Sequence, residues 1–171
     1  AGIDDLSLRG LPLADLGPWA AGYVDDLAGG RADLLRIDGD AGGANRRVVR
    51  AVGQPFAFEV GAVPGAIGPT QFAIFARLGV ATPGERFLVD PEIGAATFVP
   101  CPLWPTNPFL FTLADGIGLG AACPPVLPAT PAPWAFGLPI GIPGPVELTL
   151  QAAVLADGEV QLANALVLEI Q

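Results

Sequence analysis

Apolar and polar residues alternate along much of this chain with a period of two, the spacing of a β-strand with one buried face. The C-terminus is the clearest case. Val146, Leu148 and Leu150 alternate with Glu147, Thr149 and Gln151. Ala156-Asp157-Gly158-Glu159 then supplies an Asp-Gly hairpin turn. Beyond it Val160, Leu162, Leu166, Leu168 and Ile170 share one face, with Gln161, Glu169 and Gln171 opposite. Asn164 falls on the apolar face of that count. Either a β-bulge shifts the register there, or the amide is buried and hydrogen-bonded.

Earlier segments carry the same pattern. Residues 34–38 form a short apolar run that stops at Gly39-Asp40-Ala41-Gly42-Gly43. Residues 46–52 and 56–63 flank Gly53-Gln54-Pro55; in the second run Phe56, Phe58 and Val60 face inward while Glu59 points away. In residues 71–80, Phe72, Ile74 and Leu78 are the inward positions and Arg77 the outward one. Residues 86–89, 97–99 and 109–113 add short candidates. Helix signals are scarce: residues 18–28 give at most one short helix, weakened by Gly22 and stopped by Gly29-Gly30. About eight to ten short strands with Gly/Pro turns and no βαβ alternation predict an all-β fold. The expected form is an antiparallel β-sandwich, Ig-like or jelly-roll-like, with Pro-rich loops. Residues 34–171 are read as the sandwich domain, and residues 1–33 as an N-terminal arm or irregular subregion packing on it.

Composition changes this picture in three ways. The chain is 51% hydrophobic, which excludes intrinsic disorder, and its mean hydropathy is +0.53. The two long uncharged stretches, residues 93–114 and 116–146, are interrupted by Pro100, Pro102, Pro105 and Pro108 and by eight prolines from Pro124 to Pro145. Each interior proline costs a helix about 3 kcal/mol, so no transmembrane segment is expected. Second, the net charge is −9, and eight of the 17 carboxylates fall in the first 40 residues. Such a surface repels phosphate, which argues against nucleic acid and anionic membranes as partners. Third, the chain has no His, no Lys, no Met and a single serine, Ser7. The usual general base, imidazole ligand and Schiff-base amine are all missing. Paired carboxylates are the remaining catalytic device, and nothing in the sequence places two of them at the separation of roughly 5–9.5 Å that such a pair needs. The expectation is a protein that is not an enzyme.

Cys101 and Cys123 sit in Pro-Cys-Pro and Cys-Pro-Pro contexts. A disulfide between them closes a loop of about 22 residues and contributes about 3 kcal/mol; the alternative is two buried free thiols. A bridge fits an oxidising compartment. The sequence begins at Ala1 without a signal-like region, which is read as a mature product whose leader has been removed. The richness in Ala, Gly, Pro and Val, with Arg as the only cation, fits a high-GC bacterial source.

Several segments together carry a resemblance: residues 33–43, Gly53-Gln54-Pro55-Phe56, the strand end at 75–79, the Pro-Cys-Pro segment, Ala129-Thr130-Pro131-Ala132-Pro133-Trp134 and Leu162-Ala163-Asn164-Ala165-Leu166. The chain resembles, over roughly residues 20–171, Gly/Pro/Leu-rich C-terminal β-modules of secreted high-GC bacterial proteins. The shared motifs are turns and core strands. The resemblance implies an exported module and transfers no catalytic residue.

Four groups are candidate sites. Asp38 and Asp40, with Gly43, mimic the start of a calcium loop, although Gly42 and Val49 stand where further oxygens belong; a tight turn is the competing reading. Trp104 and Trp134 are candidates for stacking on a glycan, against ordinary packing. Arg46, Arg47 and Arg50 can meet the acidic N-terminal region, within the chain or from a neighbour. Ile3, Leu6, Leu8, Leu11 and Leu13 give the N-terminal segment an apolar/polar pattern able to add a strand to an exposed edge, its own or a neighbour's. The function expected is that of a secreted, extracellular or cell-surface structural protein. It is expected to act through protein–protein contacts, with itself or other surface proteins, one form of which is the repeating subunit of a filament or layer. The alternative is a glycan- or calcium-binding module of a larger surface protein. No cofactor is expected apart from that calcium.

Overall fold

Alternation becomes strand wherever a neighbour completes the backbone ladder. The computed structural model describes residues 7–8, 11–12, 33–43, 46–80, 87–90, 95–97, 110–118, 125–156 and 158–171. These contain strands and no α-helix; the short-helix candidate at 18–28 lies outside them. β1 (Ser7–Leu8) and β2 (Leu11–Pro12) pair with each other. Then follow β3 (Leu35–Ile37), β4 (Arg47–Arg50), β5 (Phe56–Val60), β6 (Gln71–Leu78), β7 (Phe87–Asp90) and β8 (Ala95–Thr97). β9 (Leu110–Asp115), β10 (Trp134–Leu138), β11 (Val146–Ala156) and β12 (Glu159–Ile170) complete the series.

Two sheets face each other. One has the order β10-β5-β3 and the other β4-β12-β11-β6-β9, while β7 and β8 form a separate pair. In immunoglobulin lettering the first sheet is E-B-A and the second A′-G-F-C-C′. The arrangement is therefore the immunoglobulin type of sandwich, not a jelly roll. The sandwich is antiparallel as expected, apart from β4, which runs parallel to β12. The chain crosses from one sheet to the other between β3 and β4, and that crossing reverses the sense of pairing.

The core lies between the sheets. Leu35, Ile37, Phe56, Phe58, Val60 and Trp134 enter it from the smaller sheet; Phe72, Ile74, Leu148, Leu150, Leu166 and Leu168 enter from the larger. Fully burying one such side chain contributes about 1.5–3 kcal/mol. Phe72 and Trp134 meet with ring centroids 5.0 Å apart, which sets β6 beneath β10. The β11–β12 hairpin forms as expected, with Ala156 opposite Glu159 and Gly158 at φ 83°.

Both readings of Asn164 are realised. The register of β12 against β11 shifts between Gln151 and Ala153, where β12 carries an extra residue. Asn164 is fully buried; its Oδ1 accepts from Leu35 N at 2.8 Å and its Nδ2 donates to Leu35 O at 2.8 Å. The bulge also corrects the predicted apolar face. Ala163 takes the inter-sheet position, and Leu162 packs on the opposite face with Ala73, Phe75 and Ala153. That outer face is itself buried, so Thr149 and Gln151 do not meet water as their alternation suggests. Thr149 Oγ1 donates to Gly79 O at 2.8 Å, and Gln151 Nε2 to Ala163 O at 3.2 Å. Leu78, expected inside, is 42% exposed because β6 runs past the end of the core. β10 was not among the named strand segments; it falls in the proline-interrupted stretch 116–146.

Candidate interaction surface

A sheet edge presents unsatisfied N–H and C=O groups unless something covers them. This sandwich has four edges, and at three of them other groups of the chain take up some of the outward N–H and C=O groups. At β3 the outward residues are Leu35 and Ile37. Leu35 is clasped by the Asn164 amide. Ile37 exchanges two bonds with Asp40, at 2.9 and 3.0 Å, across a two-residue turn. At β9 the Thr112 and Leu113 carbonyls accept from Val126 N and Leu127 N. At β4, Arg47 N donates to Gly42 O, and the Val49 carbonyl accepts from the side chain of Arg50.

The fourth edge, β10, is different. Ala57 directs its N–H and C=O toward β3, since it donates to Asp38 Oδ1 and accepts from Asp38 N. Gly61 N donates to Leu34 O, which fixes the same sense two pairs along β5. Opposed residues in an antiparallel pair alternate between bonded and non-bonded. Ala135, opposite Glu59, and Gly137, opposite Ala57, are therefore in non-bonded pairs. Their N–H and C=O groups point away from β5, and no described residue bonds to them. Pro133 and Pro139 flank the strand and carry no N–H, which confines the outward donors to Ala135 and Gly137. No residue of β10 is charged.

The surroundings of this edge have a definite shape. β6 lies beneath β10, and β9 pairs with β6 on the side away from β11, so the larger sheet projects one strand further. β10 thus borders a ledge roughly one strand spacing wide, about 4.8 Å. The outward face of the same small sheet holds two adjoining recesses. One, of about 390 Å³, lies over Ala57 and Gly137 beside Asp38. The other, of about 310 Å³, lies over Ala135 and Gly61 between Arg36 and Glu59.

The residues singled out from sequence are scattered relative to this surface. Asp38 and Gly39 are the central residues of the Ile37–Asp40 turn, with φ 49° and 77°, the signature of a type I′ hairpin. Asp38 Oδ1 accepts from Ala57 N at 2.8 Å and its Oδ2 from Arg50 Nε at 2.9 Å. Asp40 Oδ1 accepts from Gly42 N at 2.8 Å. These carboxylates brace a tight turn, the competing reading, with oxygens directed at backbone amides and at Arg50. Among the described residues no three acidic, Cys or His side chains lie close enough to hold a metal. Arg46 pairs with Asp33, Arg47 with Glu169 and Arg50 with Asp38. All three arginines therefore meet acids within the chain, two of them in its N-terminal 40 residues.

Trp134 is 7% exposed and packs on Phe72 and Phe136, so its ring is a core element and not an open stacking platform. Leu8 and Leu11 are paired partners in the β1–β2 hairpin. Ile3, Leu6, Leu13, Trp104, Cys101 and Cys123 lie outside the described residues. The β10 edge is what the sequence reading missed. Its signal was present, since Trp134, Phe136 and Leu138 alternate with Ala135 and Gly137.

Fold and surface together define a two-sheet, immunoglobulin-type β-sandwich with an uncharged edge strand, β10, whose outward backbone groups no described residue meets. No family model matches the chain, and no curated protein matches it. No helix among the described residues is long and apolar enough to cross a membrane.

Proposed function

We propose that this protein is a non-enzymatic, extracellular structural module that acts through protein–protein contacts, as a repeating subunit of a surface filament or layer. One observation carries the reading. At three sheet edges side chains, turns and loops take up outward backbone groups, while β10, itself uncharged, has outward donors and acceptors that no described residue meets. Edge strands of this kind are templates for another strand. The intramolecular pairing of Arg46, Arg47 and Arg50 supports the same view, because it leaves backbone pairing as the principal means of recognition. The proline-rich segments suit durability outside a cell. A glycan- or calcium-binding role has less support, given the burial of Trp134 and the engagement of Asp38.

The test is direct imaging. Untagged, oxidised protein is taken through size-exclusion chromatography with and without calcium, then examined by negative-stain electron microscopy. Regular polymers in both buffers are expected. A monomer in both, at every concentration reached, overturns the reading.

A further inference from the structure

Several backbone edges lack a partner strand among the described residues. One is the outer edge of β10, whose outward groups no described residue meets. Others belong to β1–β2 and β7–β8, pairs whose strands bond only with each other. β7–β8 is tied into the chain between β6 and β9, whereas β1–β2 lies N-terminal to every sandwich strand. An isolated two-stranded hairpin is marginally stable in water and gains when it joins a larger sheet. We propose that the β1–β2 hairpin of a second copy of this chain docks along β10, extending the small sheet from one molecule to the next. This rests on the assembly reading and names its first contact.

The geometry of the ledge selects a hairpin over a whole sandwich edge. β9 projects one strand beyond β10 in the other layer. An edge-to-edge pairing of β10 with its own copy brings the partner's larger sheet onto the place already held by β9. A slender segment needs less room, because sheets pack about 10 Å apart and a strand needs only about 4.8 Å of width. The prolines set the length of the ladder. With Pro133 and Pro139 at its ends, β10 offers two N–H groups, those of Ala135 and Gly137. A short strand such as β1 is therefore long enough to satisfy them.

The side chains on the ledge leave room for the newcomer. Ala135 and Gly137 are exposed, and a Cβ added at Gly137 would meet nothing within 4 Å. Phe136 is half-buried on the core side, where a neighbouring strand would complete its cover. The contact joins two different surfaces, so each molecule keeps one hairpin and one edge free for the next. Such heterologous contacts propagate without closing unless the rotation happens to form a ring. A filament follows without any further interface.

The experiment uses the full chain and three variants. Gly137→Pro removes an outward donor, at a position where proline is tolerated because the N–H does not serve β5. Leu8→Pro disables the hairpin and leaves the sandwich strands untouched. Gly137→Ala keeps the donor and is the control. Average mass is followed by sedimentation velocity from about 1 µM to about 1 mM, with near-ultraviolet circular dichroism as the check on folding. The wild type and Gly137→Ala are expected to grow with concentration, and each proline variant alone to stay monomeric. An equal mixture of the two proline variants is expected to reach twice the monomer mass and stop there. In that mixture the intact hairpin of one variant meets the intact edge of the other. Growth of Gly137→Pro equal to the wild type, or a mixture that stays monomeric while the wild type grows, overturns this contact and leaves the assembly reading standing. A wild type that stays monomeric throughout overturns both.

Discussion

Removing the Asn164 amide is the sharpest test of what holds the two sheets together. The side chain is fully buried and makes two 2.8 Å hydrogen bonds to the main chain of Leu35, itself fully buried. In Asn164→Ala the Leu35 N–H and C=O lose their partners at a place water does not reach. A buried polar group left unsatisfied costs about 1–3 kcal/mol, so two of them cost about 2–6 kcal/mol together. Domains of this kind are stable by about 5–15 kcal/mol, which makes the loss a large share of the total. Urea unfolding followed by tryptophan fluorescence measures it, read as a fall in midpoint at unchanged slope. Asn164→Asp separates the two bonds. It keeps an acceptor for Leu35 N, but at neutral pH it places a carboxylate where a donor is needed. Burial raises the folded-state pKa of such a group above its unfolded value of about 3.9. Protonation therefore favours the fold: the Asp variant comes closest to the wild type below about pH 4 and falls away as pH rises through the folded pKa. A loss below about 1 kcal/mol in Asn164→Ala would refute the argument, since it would mean that Leu35 finds other partners.

Three further outcomes are expected. Thr112 is fully buried, and its Oγ1 has no hydrogen-bond partner among the described residues; Thr112→Val should raise stability by about 1 kcal/mol, seen as a rise of about 2–4 °C in Tm, and a fall would mean the hydroxyl is satisfied. Gly39→Ala should destabilise by about 1–2 kcal/mol, because φ of 77° is left-handed while the added Cβ meets nothing within 4 Å, so the cost is purely conformational; an unchanged urea midpoint would count against the type I′ assignment. Thermal unfolding should be the same in calcium and in chelator, since the Asp38 carboxylate is already engaged by Ala57 N and Arg50. A calcium-dependent rise in Tm that disappears in Asp40→Asn would revive the ion site.

How much of this was legible in the sequence depended on range. Period-two alternation gave β5 and β11 with their inward faces, β6 up to Leu78 and β12 beyond its bulge, and Asp157-Gly158 gave the last hairpin, because such signals are local. Alternation reports which residues share a face; it does not report whether the second face is covered. Thr149 and Gln151 read as solvent-facing for that reason, yet they sit in a buried outer layer. Asn164 stood out as an anomaly, but its partner lies 129 residues away, and no pattern within a strand identifies it. The parallel pairing of β4 with β12 was equally hidden, since it follows from a crossing between layers. β10 was missed because prolines on both sides mark a loop by local rules, whereas here they bound an edge strand whose outward amides need no proline nitrogen.

The treatment of the four edges is what gives the molecule a direction. A chain that needed only to remain single could guard β10 as cheaply as it guards β4, where arginines stand on the strand. One charged residue at position 135 or 137 would suffice, and the fold does not forbid it. Both positions face outward and are exposed, and the space beside Gly137 is open. Intramolecular packing therefore gives no reason for the smallness and neutrality of these two residues. Pairing with another strand does, because small neutral side chains let a neighbour approach along the whole ladder without displacing anything. The same argument places the β10 edge, and not the charged pairs or Trp134, as the part of this surface where a single substitution changes association without changing the fold.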